Sequence, residues 1–343
     1  MLNVNKFLLT TILISLAFGQ LLRFHFLNFL PSFYLHDLLL VIFLILNFPR
    51  LLHLPLNSPL YRKTFLFLVC LTLFNPNYLL TLRLSVYFLS FLLIFNLDLD
   101  RPFLLKVNYL IFFMIAFLGL LQYFFLPDLR LLANLGWDDH LNRLTFPYFD
   151  PNFTGIFLAL GFFLFLPQSS WLAFLFLVPL AFTYSRSAWL SWFLVIATTS
   201  KALLRFVLVF LLFVLIFLPH RFGEGNNLLR TYSISARFKH DLTIVQTLVK
   251  QPFKGKLIPK YHLNYSLDLA GTANNSFLFL WQVGGLFSLL SFLYLLPELI
   301  NSTKNKNIWK LIIIASFFNN LLFYPFLLAW VLLFISLNSR SPR

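Results

Sequence analysis

The chain has 343 residues, of which 60% are hydrophobic and only 11% are charged, and its mean hydropathy is +0.84. A soluble protein needs roughly 25% charged residues to cover its surface, so this composition excludes a soluble globular domain. There are 26 Lys and Arg against 11 Asp and Glu, a net charge of +15. Most of these bases lie in short gaps between apolar runs, where they set membrane topology and contact lipid head groups. We therefore expect membrane lipid, and no nucleic acid, as a partner.

The apolar runs predict an all-α protein, a polytopic transmembrane helical bundle of about 12 spans. A membrane helix needs about 20 apolar residues, or somewhat fewer where charged flanks reach the head groups. Together the runs make residues 1–343 a single transmembrane domain. The predicted spans are 6–22, 33–48, 64–76, 78–97, 104–126, 152–166, 171–184, 187–200, 203–219, 273–296, 309–322 and 325–338.

The distribution of Lys and Arg between the loops predicts that both termini lie in the cytoplasm. With the 220–272 connection set aside, thirteen of these residues fall on the side of Lys6 and four on the opposite side. Cytoplasmic loops of membrane proteins carry such an excess of positive charge. The two long connections, 127–151 and 220–272, are then predicted to be external.

The large external loop, residues 220–272, contradicts this bias because it carries eight Lys and Arg residues. Two interpretations remain open: the bases contact lipid phosphates, or they form a site for an anionic ligand. Apolar residues recur at helical spacing from Phe238 to Val249. This periodicity predicts an amphipathic helix on the membrane surface or capping the bundle, with Arg237 near its start.

Two arginines lie within or at the edge of predicted spans, where a charge is costly and often functional. Arg186 lies at a turn between two short apolar segments, beside Ser185 and Ser187. A guanidinium held there would bind phosphate in a bidentate manner, although it could equally mark a helix end. Arg83 lies about one turn inside the span 78–97, and either a functional role or an approach to the head groups accounts for it.

Two further segments place polar side chains where a span begins. Asp150 precedes Pro151, the pattern of a helix N-cap followed by proline in the first turn, and Asn152 comes next. Asn274 and Asn275 occupy the same kind of position before the span 273–296. Each segment taken alone is accounted for by helix capping.

Taken in order, these elements resemble the bacterial O-antigen ligase and O-antigen polymerase superfamily. Its members share an Arg and an Asp-Pro-Asn motif before a mid-chain helix, then a Thr-x-Ser-Arg turn and a large external loop. That loop carries an Arg-led helix ending in Pro-x-x-Gly, and His-Asn and a Gly-rich stretch follow. The matching residues, within about 140–296, are Arg143, Asp150 to Asn152, Thr183 to Arg186, Arg237, Pro252 to Gly255, Asn274 and Asn275, and Gly284 and Gly285.

The resemblance implies an enzyme of the bacterial cytoplasmic membrane that builds cell-surface polysaccharide. It would transfer a glycan from a polyprenyl-diphosphate carrier to an acceptor hydroxyl on the outer face, with no cofactor and no metal. Whether it acts as ligase or polymerase depends on the acceptor and remains open. The residues with implied roles are Arg143, Arg186 and Arg237 for the diphosphate, His262, Asn274 and Asn275 for catalysis, and Asp150 and Asn152 for shaping the site.

The chain departs from the family at Asn274, where members have a histidine proposed to activate the acceptor hydroxyl. An amide cannot serve as a general base. Another residue of the loop could replace it, with His262, Asp268 and His240 as candidates. Alternatively, the site relies on positioning and electrostatics, or the chain is an inactive relative that only binds lipid-linked glycans.

Two other classes of membrane protein compete with this interpretation. A transferase using a polyprenyl-monophosphate sugar usually has catalytic acids in its first external loop, but residues 23–32 contain no Asp or Glu. A non-enzymatic transporter or flippase would show internal repeats and polar residues deep in several spans. Neither is clear in this sequence, although Arg83 and the break near Pro179 leave the transporter open.

Overall fold

The computed structural model describes residues 2–24, 32–55, 57–135, 139–199, 201, 204–205, 208–210, 212, 227, 231–256 and 272–338. Regular structure in these ranges is almost entirely α-helical. The two strands found there are the two-residue segments Arg23–Phe24 and Phe33–Tyr34, which pair antiparallel on either side of the first connection. The prediction of an all-α protein is confirmed.

The described α-helices are numbered here in chain order. They are α1 (Leu2–Phe18), α2 (Leu35–Leu46), α3 (Phe48–Leu51), α4 (Pro59–Phe74), α5 (Tyr78–Asn96), α6 (Arg101–Phe125), α7 (Pro151–Phe165), α8 (Ser170–Phe174), α9 (Leu177–Phe182), α10 (Arg186–Ala197), α11 (Tyr232–Lys250), α12 (Ser276–Asn301), α13 (Lys306–Ser316) and α14 (Pro325–Asn338). Single 3₁₀ segments, Gly19–Leu22 and Arg130–Leu135, follow α1 and α6.

Four of the described helical segments are long and apolar enough to cross a membrane: Asn3–Leu22, Tyr78–Asn96, Arg101–Phe125 and Ser276–Asn301. Helices also lie at most of the other predicted spans, but they are shorter. The predicted span 203–219 falls largely outside the described residues. The chain is therefore an α-helical membrane protein, and the full number of spans stays a prediction.

The predicted span 171–184 is not one continuous helix, in agreement with the break near Pro179 that the sequence indicated. It divides into α8 and α9, with Leu175 ending the first and Phe176 preceding the second. Pro179 has no backbone N–H to donate to the carbonyl of Leu175, four residues earlier. The proline therefore accounts for the interruption.

The helices pack into one apolar core. α12 makes its most extensive contact with α4, α1 packs against α2 and α6, and α14 packs against α5 and α6. α7 packs against both α10 and α13. Several buried polar groups are bonded across these interfaces, as where the Trp330 indole donates to the side-chain oxygen of Asn108 at 2.7 Å. Such bonds remove the cost of an unpaired polar group in an apolar core.

α12 is kinked at Gly285, whose φ is +72°. The segment Pro252–Gly255, which follows α11, lies in this kink. The Leu286 amide donates to the Pro252 carbonyl at 2.8 Å, and the Gly255 amide donates to the Phe74 carbonyl at 3.0 Å. The Pro-x-x-Gly segment and the Gly-Gly pair, which are distant in sequence, therefore contact each other and fix the C-terminal end of α11 against α12 and α4.

The predicted amphipathic helix is present as α11, and its apolar residues form two faces rather than one. Ile244 and Leu248 are buried against the bundle. Phe238 and Val249 point away from it, with 71% and 64% of their surfaces exposed. The helix therefore caps the bundle with one face and leaves a second apolar face exposed.

Candidate functional site

Arg143 holds the backbone turn that leads into α10. Its side chain is only 6% exposed. The guanidinium donates to the carbonyl oxygens of Thr183 and Tyr184, at 3.1 and 3.3 Å. Tyr184 has a positive φ of 52°, a conformation that costs energy for a residue other than glycine. Arg143 thus stabilises an unusual turn, and through that turn it positions the N-terminal end of α10.

This role gives a first prediction: Arg143→Lys loosens the turn at Thr183 and Tyr184. A lysine keeps the charge, but it lacks the planar fork that reaches two carbonyl oxygens at once. Hydrogen bonds from a charged donor are worth about 1.5–3 kcal/mol each, so we expect a loss of about 2 kcal/mol in unfolding free energy. Thermal unfolding in detergent measures it, and Arg130→Lys at an exposed loop position is the control. Equal stability of the two variants would contradict this role.

The start of α7 and the start of α10 meet through short polar side chains. Asp150 caps α7 by accepting from the Asn152 and Phe153 amides at 2.6 and 3.3 Å. The side-chain oxygen of Asn152 in turn accepts from the Ser185 hydroxyl at 2.9 Å. Ser185 is the N-cap of α10. The capping prediction for Asp150 is confirmed, and Asn152 connects the Asp-Pro-Asn segment to the turn that carries Arg186.

Arg237 joins the same group of side chains from α11. Its guanidinium donates to the side-chain oxygen of Asn319 at 2.8 Å, in the turn between α13 and α14. The Asn319 amide then donates to the Ser187 hydroxyl at 2.8 Å. We call this group the polar cluster. Its members are Asn152, Ser185, Arg186, Ser187, Arg237 and Asn319.

The electrostatics of the polar cluster favour an anion. Arg186, the first residue of α10, is partly desolvated, and its positive charge and that of Arg237 are close enough to repel each other. The N-terminal ends of α7 and α10 also lie in the cluster, and helix N-termini carry partial positive charge and unsatisfied N–H groups. An anion bound between the arginines would relieve the repulsion and accept hydrogen bonds.

Asn274 and Asn275 lie beside the polar cluster at the start of α12. Asn275 is the helix N-cap, accepting from the Phe277 and Leu278 amides at 2.8 and 3.0 Å. Its amide nitrogen donates to the Phe317 carbonyl at 3.3 Å, next to the turn that holds Asn319. Asn274 instead faces α11. Its backbone N–H and its side-chain amide both donate to Oδ1 of Asp241, at 2.9 and 3.2 Å.

Of the three residues considered as replacements for the family histidine, only His240 is among the described residues. His262 and Asp268 lie outside them. His240 lies on α11, with Nε2 at 3.1 Å from the Thr272 carbonyl oxygen. That nitrogen must donate to the carbonyl, so it carries the proton. Among the described residues, no three His, Cys, Asp or Glu side chains are grouped so that they could hold a metal ion.

A second polar group, not predicted from the sequence, is buried among α2, α5 and α14. The Asp37 carboxylate pairs with the Arg83 guanidinium at 3.0 Å, and the Tyr87 hydroxyl donates to the same carboxylate. The ring of His36 lies 2.9 Å from the Tyr87 hydroxyl. We call these four residues the buried acid–arginine cluster. The sequence offered two signals for it, Arg83 inside the span 78–97 and an aspartate just inside the apolar run 33–48.

Comparisons with known proteins do not assign the chain to a family. No family model matches it, and no curated protein matches it.

Proposed function

We propose that this protein is a membrane glycan ligase or polymerase that takes its donor from a polyprenyl-diphosphate carrier. The polar cluster would bind the diphosphate at the outer face of a bacterial cytoplasmic membrane, and the product would be cell-surface polysaccharide. The substrate class comes from the resemblance to the O-antigen ligase and polymerase superfamily. The chemistry of the cluster supports it independently as a site for an anion.

The observation that carries the proposal is the convergence of Arg186 and Arg237. They lie on different helices, 51 positions apart in the sequence, and both belong to one polar cluster with the N-terminal ends of α7 and α10. A structural role for one arginine at a helix end does not require a second positive charge within electrostatic reach. An anion shared between two like charges offsets their repulsion, and a diphosphate is such an anion.

The contacts between helix ends support the proposed topology of about 12 spans with cytoplasmic termini. Connections predicted to be cytoplasmic contact one another: Lys6 pairs with Asp100 at 2.7 Å, and Lys63 pairs with Glu298 at 2.7 Å. Connections predicted to be external also meet, as where the Asn77 side-chain amide donates to the Lys256 carbonyl at 2.8 Å. The polar cluster lies among the second set. An external 220–272 loop, including α11, is part of the proposal.

The proposed reaction asks little covalent chemistry of the protein, because the diphosphate is already a good leaving group. The acceptor hydroxyl oxygen forms a bond to the anomeric carbon. The bond from that carbon to the diphosphate oxygen breaks, and polyprenyl diphosphate leaves with the electron pair. The arginines would stabilise the charge that grows on the leaving diphosphate, and the remaining polar side chains would orient the acceptor.

The test is release of polyprenyl diphosphate by purified protein in lipid nanodiscs. The donor is the pool of lipid-linked oligosaccharides extracted from the cells that make this protein. We expect release by the wild type and a decrease of about 10²-fold or more in Arg186→Ala and in Arg237→Ala, the scale of losing one transition-state hydrogen-bond donor. Arg130→Ala is the matched control, because Arg130 is an exposed arginine of a predicted external loop, paired with Asp128. It should retain wild-type release.

The same experiment separates the alternatives. Folding of each variant is checked by thermal unfolding, so that loss of release is not loss of structure. If the wild type binds the donor without releasing polyprenyl diphosphate with any glycan acceptor, the transferase proposal fails. An inactive binder, or a transporter or flippase of lipid-linked glycans, then becomes the better account. Full activity in both arginine variants would remove the polar cluster from the mechanism.

A further inference from the structure

The acceptor side of the proposed reaction needs a group that takes the hydroxyl proton. Asn274 cannot do so, since an amide is not a useful base. In the structure Asn274 is not isolated: it donates both its backbone N–H and its side-chain amide to Oδ1 of Asp241. The Asp241 carboxylate on α11 therefore contacts the asparagine directly. No spacing in the sequence connects these two residues, which are 33 positions apart.

Asp241 also lies beside the proposed diphosphate site. It follows Arg237 by four residues on α11, so the two side chains lie on the same face, with about 5–6 Å between their Cβ atoms. Arg237 is bonded to Asn319, and Asn275 reaches the carbonyl of Phe317 in the same turn. Asp241, Arg237 and the start of α12 are thus neighbours. A hydroxyl placed between them would be adjacent both to the carboxylate and to the bond that breaks.

The carboxylate is held in place and is available to accept a proton. The two hydrogen bonds that the described residues give it both end on Oδ1. Among the described residues, no Lys, Arg or His side chain forms an ion pair with it. A carboxylate with one oxygen fixed by two N–H donors presents the other in a defined direction, as a general base requires.

We propose that Asp241 is the general base of the transferase, an inference that rests on the proposed function. As the acceptor hydroxyl oxygen bonds to the anomeric carbon, its proton moves to the Asp241 carboxylate. The bond from that carbon to the diphosphate oxygen breaks, and its electron pair leaves with the polyprenyl diphosphate. The proton then passes from Asp241 to water. Asn274 acts as a positioning residue that fixes the carboxylate.

The test compares Asp241→Asn with Asp241→Ala in the nanodisc assay described above. The asparagine side-chain oxygen can still accept both hydrogen bonds from Asn274, but the amide cannot take a proton. We expect Asp241→Asn to keep wild-type thermal stability and wild-type binding of sugar-free polyprenyl diphosphate. Its turnover should fall by about 10²–10⁴-fold, the contribution typical of a general base. Asp139→Asn, at an exposed position of a predicted external loop, is the matched control and should retain full turnover.

The outcomes distinguish a catalytic role from a structural one. If Asp241 only anchors the segment before α12, Asp241→Asn keeps wild-type turnover while Asp241→Ala loses stability and turnover together. That result would overturn the assignment and leave the arginine site intact. If the wild type itself releases no polyprenyl diphosphate, both the assignment and the proposed function fall. An active wild type with a stable, donor-binding and inactive Asp241→Asn supports both.

Discussion

Gly255→Ala should destabilise the protein by about 3 kcal/mol and separate the end of α11 from α12. A Cβ at this position would lie 2.0 Å from the carbonyl oxygen of Val283 and 2.7 Å from that of Phe74. Both obstacles are backbone atoms, so neither can move aside as a flexible side chain does. Overpacking typically costs about 1–3 kcal/mol. The hydrogen bond from the Gly255 amide to the Phe74 carbonyl, 3.0 Å long, would be lost in addition.

The matched control is Gly119→Ala, inside α6. Its added Cβ would also make a close contact, 2.8 Å, but with the terminal methyl of Leu144, which can rotate. Alanine is also favoured over glycine in a helix by about 1 kcal/mol. We therefore expect the unfolding free energy of Gly119→Ala to lie within about 1 kcal/mol of the wild-type value. Thermal unfolding in detergent compares the two, and equal destabilisation would show that the fit at Gly255 does not matter.

The consequence of Gly255→Ala for function is a separate readout. The segment Pro252–Gly255 follows α11 and fixes its C-terminal end, so it also fixes the helix that carries Arg237 and Asp241. We expect the variant to lose the proposed glycan transfer even at temperatures where the bundle stays folded. Protease cleavage within α11 should increase at the same time. Loss of transfer with unchanged cleavage would point to a direct role of Gly255 instead.

The composition and the apolar runs were sufficient to predict the fold class. Helices α1, α2, α5, α6, α7, α10 and α14 lie at predicted spans, because a run of apolar residues in a membrane satisfies its backbone only as a helix. The sequence indicated a break near Pro179, although the span 171–184 was still predicted as one segment. A hydrophobic run of this length defines a span by its average character, and a single proline changes the hydrogen bonding without changing that average.

The candidate site was predictable only in part. Arg186 and Arg237 could be selected from local motifs, and the capping roles of Asp150 and Asn275 followed from their positions before helices. The contact between Asp241 and Asn274 could not, because neither residue belongs to a local pattern that refers to the other. The docking of Pro252–Gly255 against Gly285 could not be predicted either. Both contacts depend on tertiary packing, and the spacing of apolar residues along the chain carries no information about it.

Arg83→Met should cost about 3–5 kcal/mol of stability, a large effect for one charged-to-apolar change in a membrane helix. The substitution leaves the Asp37 carboxylate, only 8% exposed, without the guanidinium at 3.0 Å. Removing one partner of a buried ion pair costs about this much because the remaining charge is uncompensated. The control is Lys6→Met, which breaks a pair with Asp100 whose side chains are 36% and 43% exposed. Exposed pairs contribute about 0–1 kcal/mol.

A double variant tests whether the charge is the cause. Asp37→Asn combined with Arg83→Met removes both charges. The asparagine oxygen can still accept from the Tyr34 backbone N–H, and its NH2 group can donate to the Tyr87 hydroxyl oxygen, which faces the other carboxylate oxygen in the wild type. We expect it to recover most of the stability lost by Arg83→Met, since the two residues are in contact and their effects are not additive. Thermal unfolding of the four proteins completes the cycle. Additive losses would show that the two side chains do not act as a pair.

The turnover of the double variant bears on which class of protein this is. If the chemistry lies in the polar cluster, the buried acid–arginine cluster only holds α2 against α5, and the folded double variant should transfer glycans at the wild-type rate. A transporter or flippase predicts the opposite, because buried ionisable groups between membrane helices mark transport pathways. A stable double variant that no longer supports the native activity would move the functional centre to Asp37 and Arg83. Retained activity would leave these residues a structural role and concentrate the mechanism on Arg186, Arg237 and Asp241.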